Sequence, residues 1–154
     1  MLPQIHLFLG LNGALLLNKG DFNNFSIIWF IIGSIFPDID FFYGYVSKQN
    51  HRKFPTHYPI LWLSMGCLFG LMGLSIFWFF LGAFIHVLVD LFDFEIYFFA
   101  PFIMIPISFL KLDYKKMMKN GSILKFLQNY YQNKTLVYLE VVTYGFFFLF
   151  IFIM

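Results

Sequence analysis

YPILWLSMGCLFGLMGLSIFWFFLGAFIHVLVDLF, from Tyr58 to Phe92, runs for 35 residues without a Lys, Arg or Glu. As a single helix it would extend about 52 Å, against a bilayer hydrocarbon core of about 30 Å. Gly70-Leu-Met-Gly73 stands near its midpoint and supplies a tight turn. The stretch therefore reads as a helical hairpin, with Pro59–Phe69 running one way and Leu74–Phe92 returning.

Outside the hairpin, further apolar blocks follow the same logic. Ile5–Leu17 is closed by the polar run Asn18-Lys-Gly-Asp-Phe-Asn-Asn24, and Phe25–Phe36 is closed by Pro37, which disfavours helix at the residue before it. Thr135–Met154 is a 20-residue apolar block with Glu140 inside it. Ile96–Leu110 is apolar but broken by Pro101 and Pro106, which suits a re-entrant or interfacial segment. Lys111–Lys134 interleaves Lys with Leu, Met, Ile and Phe and reads as an amphipathic surface helix interrupted near Asn120-Gly121. The expected fold is all-α. It is a polytopic helical membrane protein of one domain over 1–154, with about five spans (5–17, 25–36, 59–69, 74–92 and 135–154) and an interfacial segment over 96–134.

Composition points the same way. Of 154 residues, 60% are hydrophobic, 24% aromatic and 12% charged, and the mean hydropathy is +0.77. Soluble domains carry roughly 25% charged and 45–50% apolar residues. The 25 Phe residues exceed what a small soluble fold hides, because small domains keep much of their surface in water. A net charge of +2 gives no electrostatic footprint for nucleic acid, and the lone Cys67 builds no disulfide framework. Met1-Leu-Pro-Gln lacks a basic n-region, so the start of the chain does not read as a cleavable signal. No internal repeat is visible.

Charge orients the expected spans. Tyr43–Tyr58 holds Lys48, Arg52 and Lys53 without an acid, and Lys111–Lys134 holds six Lys against Asp113. With five spans both segments fall on one face, which the positive-inside rule makes cytoplasmic. The expected location is an inner (plasma) membrane, with the N-terminus cytoplasmic and the C-terminus outside.

On that arrangement His6, Asp38, Asp40, His51, His57, His86 and Asp90 gather at one face. Asp38-Ile-Asp40 follows Pro37, so an extended backbone there turns both carboxylates the same way. His86 and Asp90 are four apart and share a helical face. Imidazole with carboxylate suits zinc, or a mixed site with manganese or iron. Arg52 suits a phosphate, since its planar fork pairs bidentately with oxyanions. The plainer readings are a turn or cap at Asp38–Asp40, a satisfied pair at His86 and Asp90, and a topogenic cation at Arg52. Glu140 lies outside the group, and Trp29, Trp62 and Trp78 read as lipid-facing or packing residues.

His6, Phe36-Pro-Asp-Ile-Asp40, His51-Arg52 with Thr56-His57, and His86-x-x-x-Asp90 together resemble the small membrane-bound, metal-dependent hydrolases of the YdjM-like family. That family is similar in pattern to the zinc-dependent phospholipase C and P1 nuclease group. The resemblance covers roughly Leu2 to Pro106 and lies in order and spacing rather than in one motif. It implies His6, Asp38, His51 or His57, His86 and Asp90 as ligands of one or more Zn²⁺. It implies Asp40, Arg52 and Thr56 as ligand-supporting or phosphate-binding groups. His51-Arg-Lys-Phe-Pro-Thr-His57-Tyr58 departs from the family pattern, which has Gly after His-Arg, Ser after Thr-His, and a shorter gap.

The expected function is thus a membrane-embedded metal-dependent hydrolase. Its substrate is a phosphoester or lipid-like molecule delivered from the surrounding membrane lipids, with Asp40 or Asp90 as the base. The alternative is a non-enzymatic membrane protein whose His/Asp group handles ions or protons, or locks helices together.

Overall fold

The computed structural model describes residues 3–19, 23–41, 43, 51–92, 95–110 and 123–153. Its helices are α1 (Pro3–Lys19), α2 (Asn24–Ile35), α3 (Pro59–Leu71), α4 (Phe77–Asp90), α5 (Ile123–Gln132) and α6 (Lys134–Ile153). Short 3-10 turns cover Phe36–Ile39, His51–Lys53 and Pro55–His57.

Local chemistry sets the helix boundaries. The side chain of Asn23 accepts from the Ser26 amide at 2.8 Å and caps α2. Phe36 keeps helical dihedrals ahead of Pro37 (φ −55°, ψ −40°), and the chain tightens into the Phe36–Ile39 turn, in which Pro37 has no N–H to donate and Asp38 and Asp40 are not on the extended backbone expected there. Proline opens α1 and α3, where its missing N–H costs nothing. Gly73, at φ 66°, reverses the chain between α3 and α4, a conformation that a Cβ would strain. Asn133 accepts from the amides of Thr135 and Leu136 at 3.1 and 3.4 Å and starts α6.

The helices pack in the order α6, α1, α2, α4, α3. Glycine lets α2 and α4 approach to backbone contact. A Cβ on Gly33 would fall on the Phe79 carbonyl, and one on Gly82 would fall on the Phe30 carbonyl. Between α3 and α4 the core is Trp62, Phe80, Ala83 and Val87, and it extends to Ile96.

Two expectations are corrected here. The polytopic five-span reading fails because no helix among the described residues is long and apolar enough to cross a membrane. Helices of 17, 12, 13 and 14 residues stand where four spans are expected. They rise only about 26, 18, 20 and 21 Å, short of the roughly 30 Å required. The fifth, α6, begins on Lys134 and buries Glu140. The inside–outside assignment of the termini loses its basis with the spans. The helical class stands, with one short addition. Ile96–Tyr97 (β1) and Pro106–Ile107 (β2) form an antiparallel pair, with Ile96 opposite Ile107 and Tyr97 opposite Pro106. The surface helix expected over Lys111–Lys134 lies outside the described residues from 111 to 122, and its remainder is α5 and the start of α6.

Candidate metal centre

Four segments converge on one buried polar cluster. The first turns of α1 supply His6, and the turn after α2 supplies Asp38 and Asp40. The two turns before α3 supply Arg52, Thr56 and His57, and the last turns of α4 supply His86 and Asp90. His6, Asp38, Asp40, Arg52, His57, His86 and Asp90 are all buried. His51 lies in the His51–Lys53 turn, and its side chain is outside the described residues.

Asp90 is the hub. Its Oδ2 accepts from Arg52 Nε at 3.0 Å and its Oδ1 lies 3.0 Å from a terminal guanidinium nitrogen, so the fork grips the carboxylate bidentately. His6 Nε2 reaches the same Oδ1 at 3.1 Å. His57 Nε2 and His86 Nε2 face Oδ2 at 3.5 and 3.8 Å. Burial alone would raise the Asp90 pKa, but the Arg52 charge outweighs it and holds the carboxyl well below its usual range.

Asp40 orients His57. Its Oδ2 accepts from His57 Nδ1 at 3.1 Å and from the Thr56 hydroxyl. The Trp62 indole donates to the Thr56 carbonyl at 2.7 Å and pins the same turn. Burial opposes a proton on His57, yet its hydrogen bonds to Asp40 and Asp90 hold the imidazole above its ordinary value. Asp38 is raised mainly by burial, against the nearby charge of His6.

His86 carries the decisive geometry. Its Nδ1 sits 2.7 Å from the Ser34 carbonyl, an acceptor, so Nδ1 is the protonated nitrogen. Burial, reinforced by the charge of His6, holds His86 well below the usual imidazole value, so the ring is neutral. Its Nε2 then presents a lone pair to Asp38 Oδ1 at 3.6 Å and Asp90 Oδ2 at 3.8 Å. His86 Nε2 and the two carboxylate oxygens thus face one another at separations beyond hydrogen-bond length. His86 Nε2, Asp38 Oδ2 and Asp40 Oδ1 have no hydrogen-bond partner among the described residues, a costly state for buried groups.

A divalent cation would satisfy that arrangement. Asp38, His57, His86 and Asp90 each offer one ligand atom, all within 4.8 Å of one another. A tetrahedral ion with ligands at roughly 2.0–2.2 Å sets them about 3.3–3.6 Å apart; three of the six pairs here stand at 3.5, 3.6 and 3.8 Å, and the others lie within 4.8 Å. Two carboxylates would neutralise such an ion, while Asp40 fixes the His57 ring and Ser34 the His86 ring, the outer support that metal-binding histidines need. His6 stacks on His86 with ring centroids 3.6 Å apart.

Eight of the nine residues singled out from sequence meet in this cluster, and His51 alone falls outside the description. Of the two tasks expected of Arg52, supporting a ligand or binding a phosphate, the geometry shows the first, because its fork is directed at Asp90. Trp62, read as packing, also holds the Thr56 turn. Ser34 was not singled out, since it acts through a backbone carbonyl that leaves no sequence signal. Glu140 is buried on α6 and is not one of the four side chains that could share an ion.

A family model described as YdjM inner membrane protein matches residues 1–154, and the chain belongs to that family. No curated protein and no solved structure matches it.

Proposed function

We propose, from membership of an inner membrane family, that the cluster is a divalent metal centre serving hydrolysis of a phosphoester on a lipid-like molecule. The observation that carries the metal is the His86 Nε2 lone pair aimed at two carboxylate oxygens. The similarity of residue order to the zinc-dependent phospholipase C and P1 nuclease group supports the phosphoester.

Asp38, His57, His86 and Asp90 would hold the ion. When bound, a zinc-class ion supplies the charge that makes water nucleophilic near neutral pH. Asp38 and Asp40, at 7% and 8% exposure, border the least buried edge of the cluster, where water and substrate would enter. Asp40 Oδ1 has no hydrogen-bond partner among the described residues and is the better placed base. Asp90, clamped by Arg52, is too acidic for that task. Arg52 acts as a positioning residue that keeps Asp90 ionised and aimed. The full burial of His57 and Asp90 favours a second reading, in which the same ion locks α2 and α4 to the Pro55–His57 turn without turnover.

The test is metal per chain by plasma emission on detergent-purified protein, stripped with chelator and reloaded with Zn²⁺ or Mn²⁺, alongside hydrolysis of bis(p-nitrophenyl) phosphate. Near-stoichiometric metal that is lost in His86→Ala and Asp38→Ala but kept in Glu140→Ala is expected, with turnover following the metal. Metal without turnover would leave the helix lock. Failure of the wild type to take up either ion would end the metal centre.

A further inference from the structure

We infer that the β1–β2 hairpin is a lipid-inserting tip that seats the cluster at the bilayer interface. Ile96–Leu110 contains no charged residue. Its tip turns large apolar side chains outward: Phe102 is 85% exposed, with Ile103, Met104, Ile105 and Phe109 also exposed. A contiguous apolar projection of this kind marks a surface that is covered in use. In a family of inner membrane proteins, acyl chains are the occupant whose chemistry matches an uncharged, aromatic-rich tip.

Backbone chemistry limits how deep this tip can go. Non-helical chain enters an apolar medium only where its N–H and C=O groups are satisfied internally. The Ala100 amide donates to Tyr97 O at 3.2 Å, and the Phe102 and Ile103 amides donate to Phe99 O at 3.0 and 3.1 Å. Pro101 and Pro106 have no N–H to satisfy. The Met104 and Ile105 amides have no such bond among the described residues and need water or headgroup partners, so the hairpin suits shallow insertion, roughly 5–10 Å into the headgroup and acyl boundary. At its base the Lys53 ammonium lies 5.8 Å from the Tyr97 ring centroid, a cation at the level where lipid phosphates sit.

The hairpin is also built on the cluster. The Phe109 amide donates to Leu91 O at 2.9 Å, one residue beyond Asp90, and β1 packs against the His51–Lys53 turn that carries Arg52. Insertion of the tip therefore holds the two segments that form the Arg52–Asp90 pair beside the lipid headgroups. This inference rests on the hairpin and on the family's membrane setting, and stands whether or not the cluster binds metal.

The test uses the full chain in phosphatidylethanolamine–phosphatidylglycerol vesicles. Cys67, the sole cysteine, is replaced by Ser, and a nitrobenzoxadiazole probe is attached at Phe102→Cys. Met104→Cys serves as a second site, and Gln128→Cys on the exposed side of α5 as reference. Blue-shifted emission at 102 and 104 is expected, with strong quenching by lipid spin-labelled near the headgroup and iodide quenching several-fold weaker than at 128. Iodide quenching equal to that at 128 would overturn the inference. So would protection from both quenchers, which would place the hairpin against protein, such as a second copy of the chain.

Discussion

Replacing Arg52 by Met removes the cation from the centre of the cluster while keeping most of the side chain's volume. Arg52 is 2% exposed and Asp90 is fully buried, and the two make parallel contacts of 3.0 Å. Breaking a buried pair from one side leaves the other charge uncompensated and costs about 3–5 kcal/mol. That is a large share of a domain's total stability. Chelator-treated Arg52→Met should therefore melt far below wild type in a thermal or denaturant scan of detergent-solubilised protein. Asp90→Asn alone should also destabilise, and the double variant should recover part of the loss, with a coupling of up to about 3 kcal/mol. Adding Zn²⁺ should restore Arg52→Met in part, because an ion on Asp90 replaces the missing charge. At 100 times its dissociation constant a ligand of the folded state adds about 2.7 kcal/mol. A metal-free loss below about 1 kcal/mol, or no coupling in the cycle, would show that Asp90 does not depend on Arg52 and would refute the hub.

Other outcomes follow from the same geometry. Asp40→Asn should weaken metal binding about 10–100-fold without abolishing it, because it removes the anchor of the His57 ring rather than a ligand; an unchanged dissociation constant would remove Asp40 from the site. Metal must displace the proton from His57, whose pKa is raised by Asp40 and Asp90, so uptake should weaken as pH falls through that raised value. Calorimetry in buffers of different ionisation enthalpy should detect proton release near neutral pH, and none would contradict the assignment. In the metal-free protein the same shift gives stability that is fully present below the unfolded value of about 6.5 and is lost as pH rises through the folded one. Gly33→Ala should cost about 1–3 kcal/mol or more, since its Cβ meets the Phe79 backbone. Gly145→Ala, with nothing near its Cβ, should be close to neutral, and equal melting of the two would mean that α2 and α4 are not in backbone contact.

The sequence by itself determined the helix breaks and the chemical inventory of the site. Asn23, Pro37, Pro59 and Gly73 act within a few residues of where they stand, through a cap, a missing N–H or a positive φ, so their effects are legible without tertiary knowledge. The pairing of His86 with Asp90 on one face follows from helical period alone. The membrane match is carried by composition at the level of the family, but the spans are not. Apolar content measures how much surface avoids water, whereas crossing depends on uninterrupted helix length, and the chain divides its apolar runs into pieces that end early. The β1–β2 hairpin was hidden because Ile96–Leu110 has neither alternating polarity nor a two-residue turn signal, and its pairing depends on packing against Leu91 and the Arg52 turn. Only the tertiary structure decided how the site residues are used. That Arg52 grips Asp90, that Asp40 orients His57, and that Ser34 leaves a bare lone pair on His86 are contacts between residues 17 to 52 positions apart. Such contacts arise where α2 and α4 close over glycine and bring a carbonyl to an imidazole, a distance that no local pattern encodes.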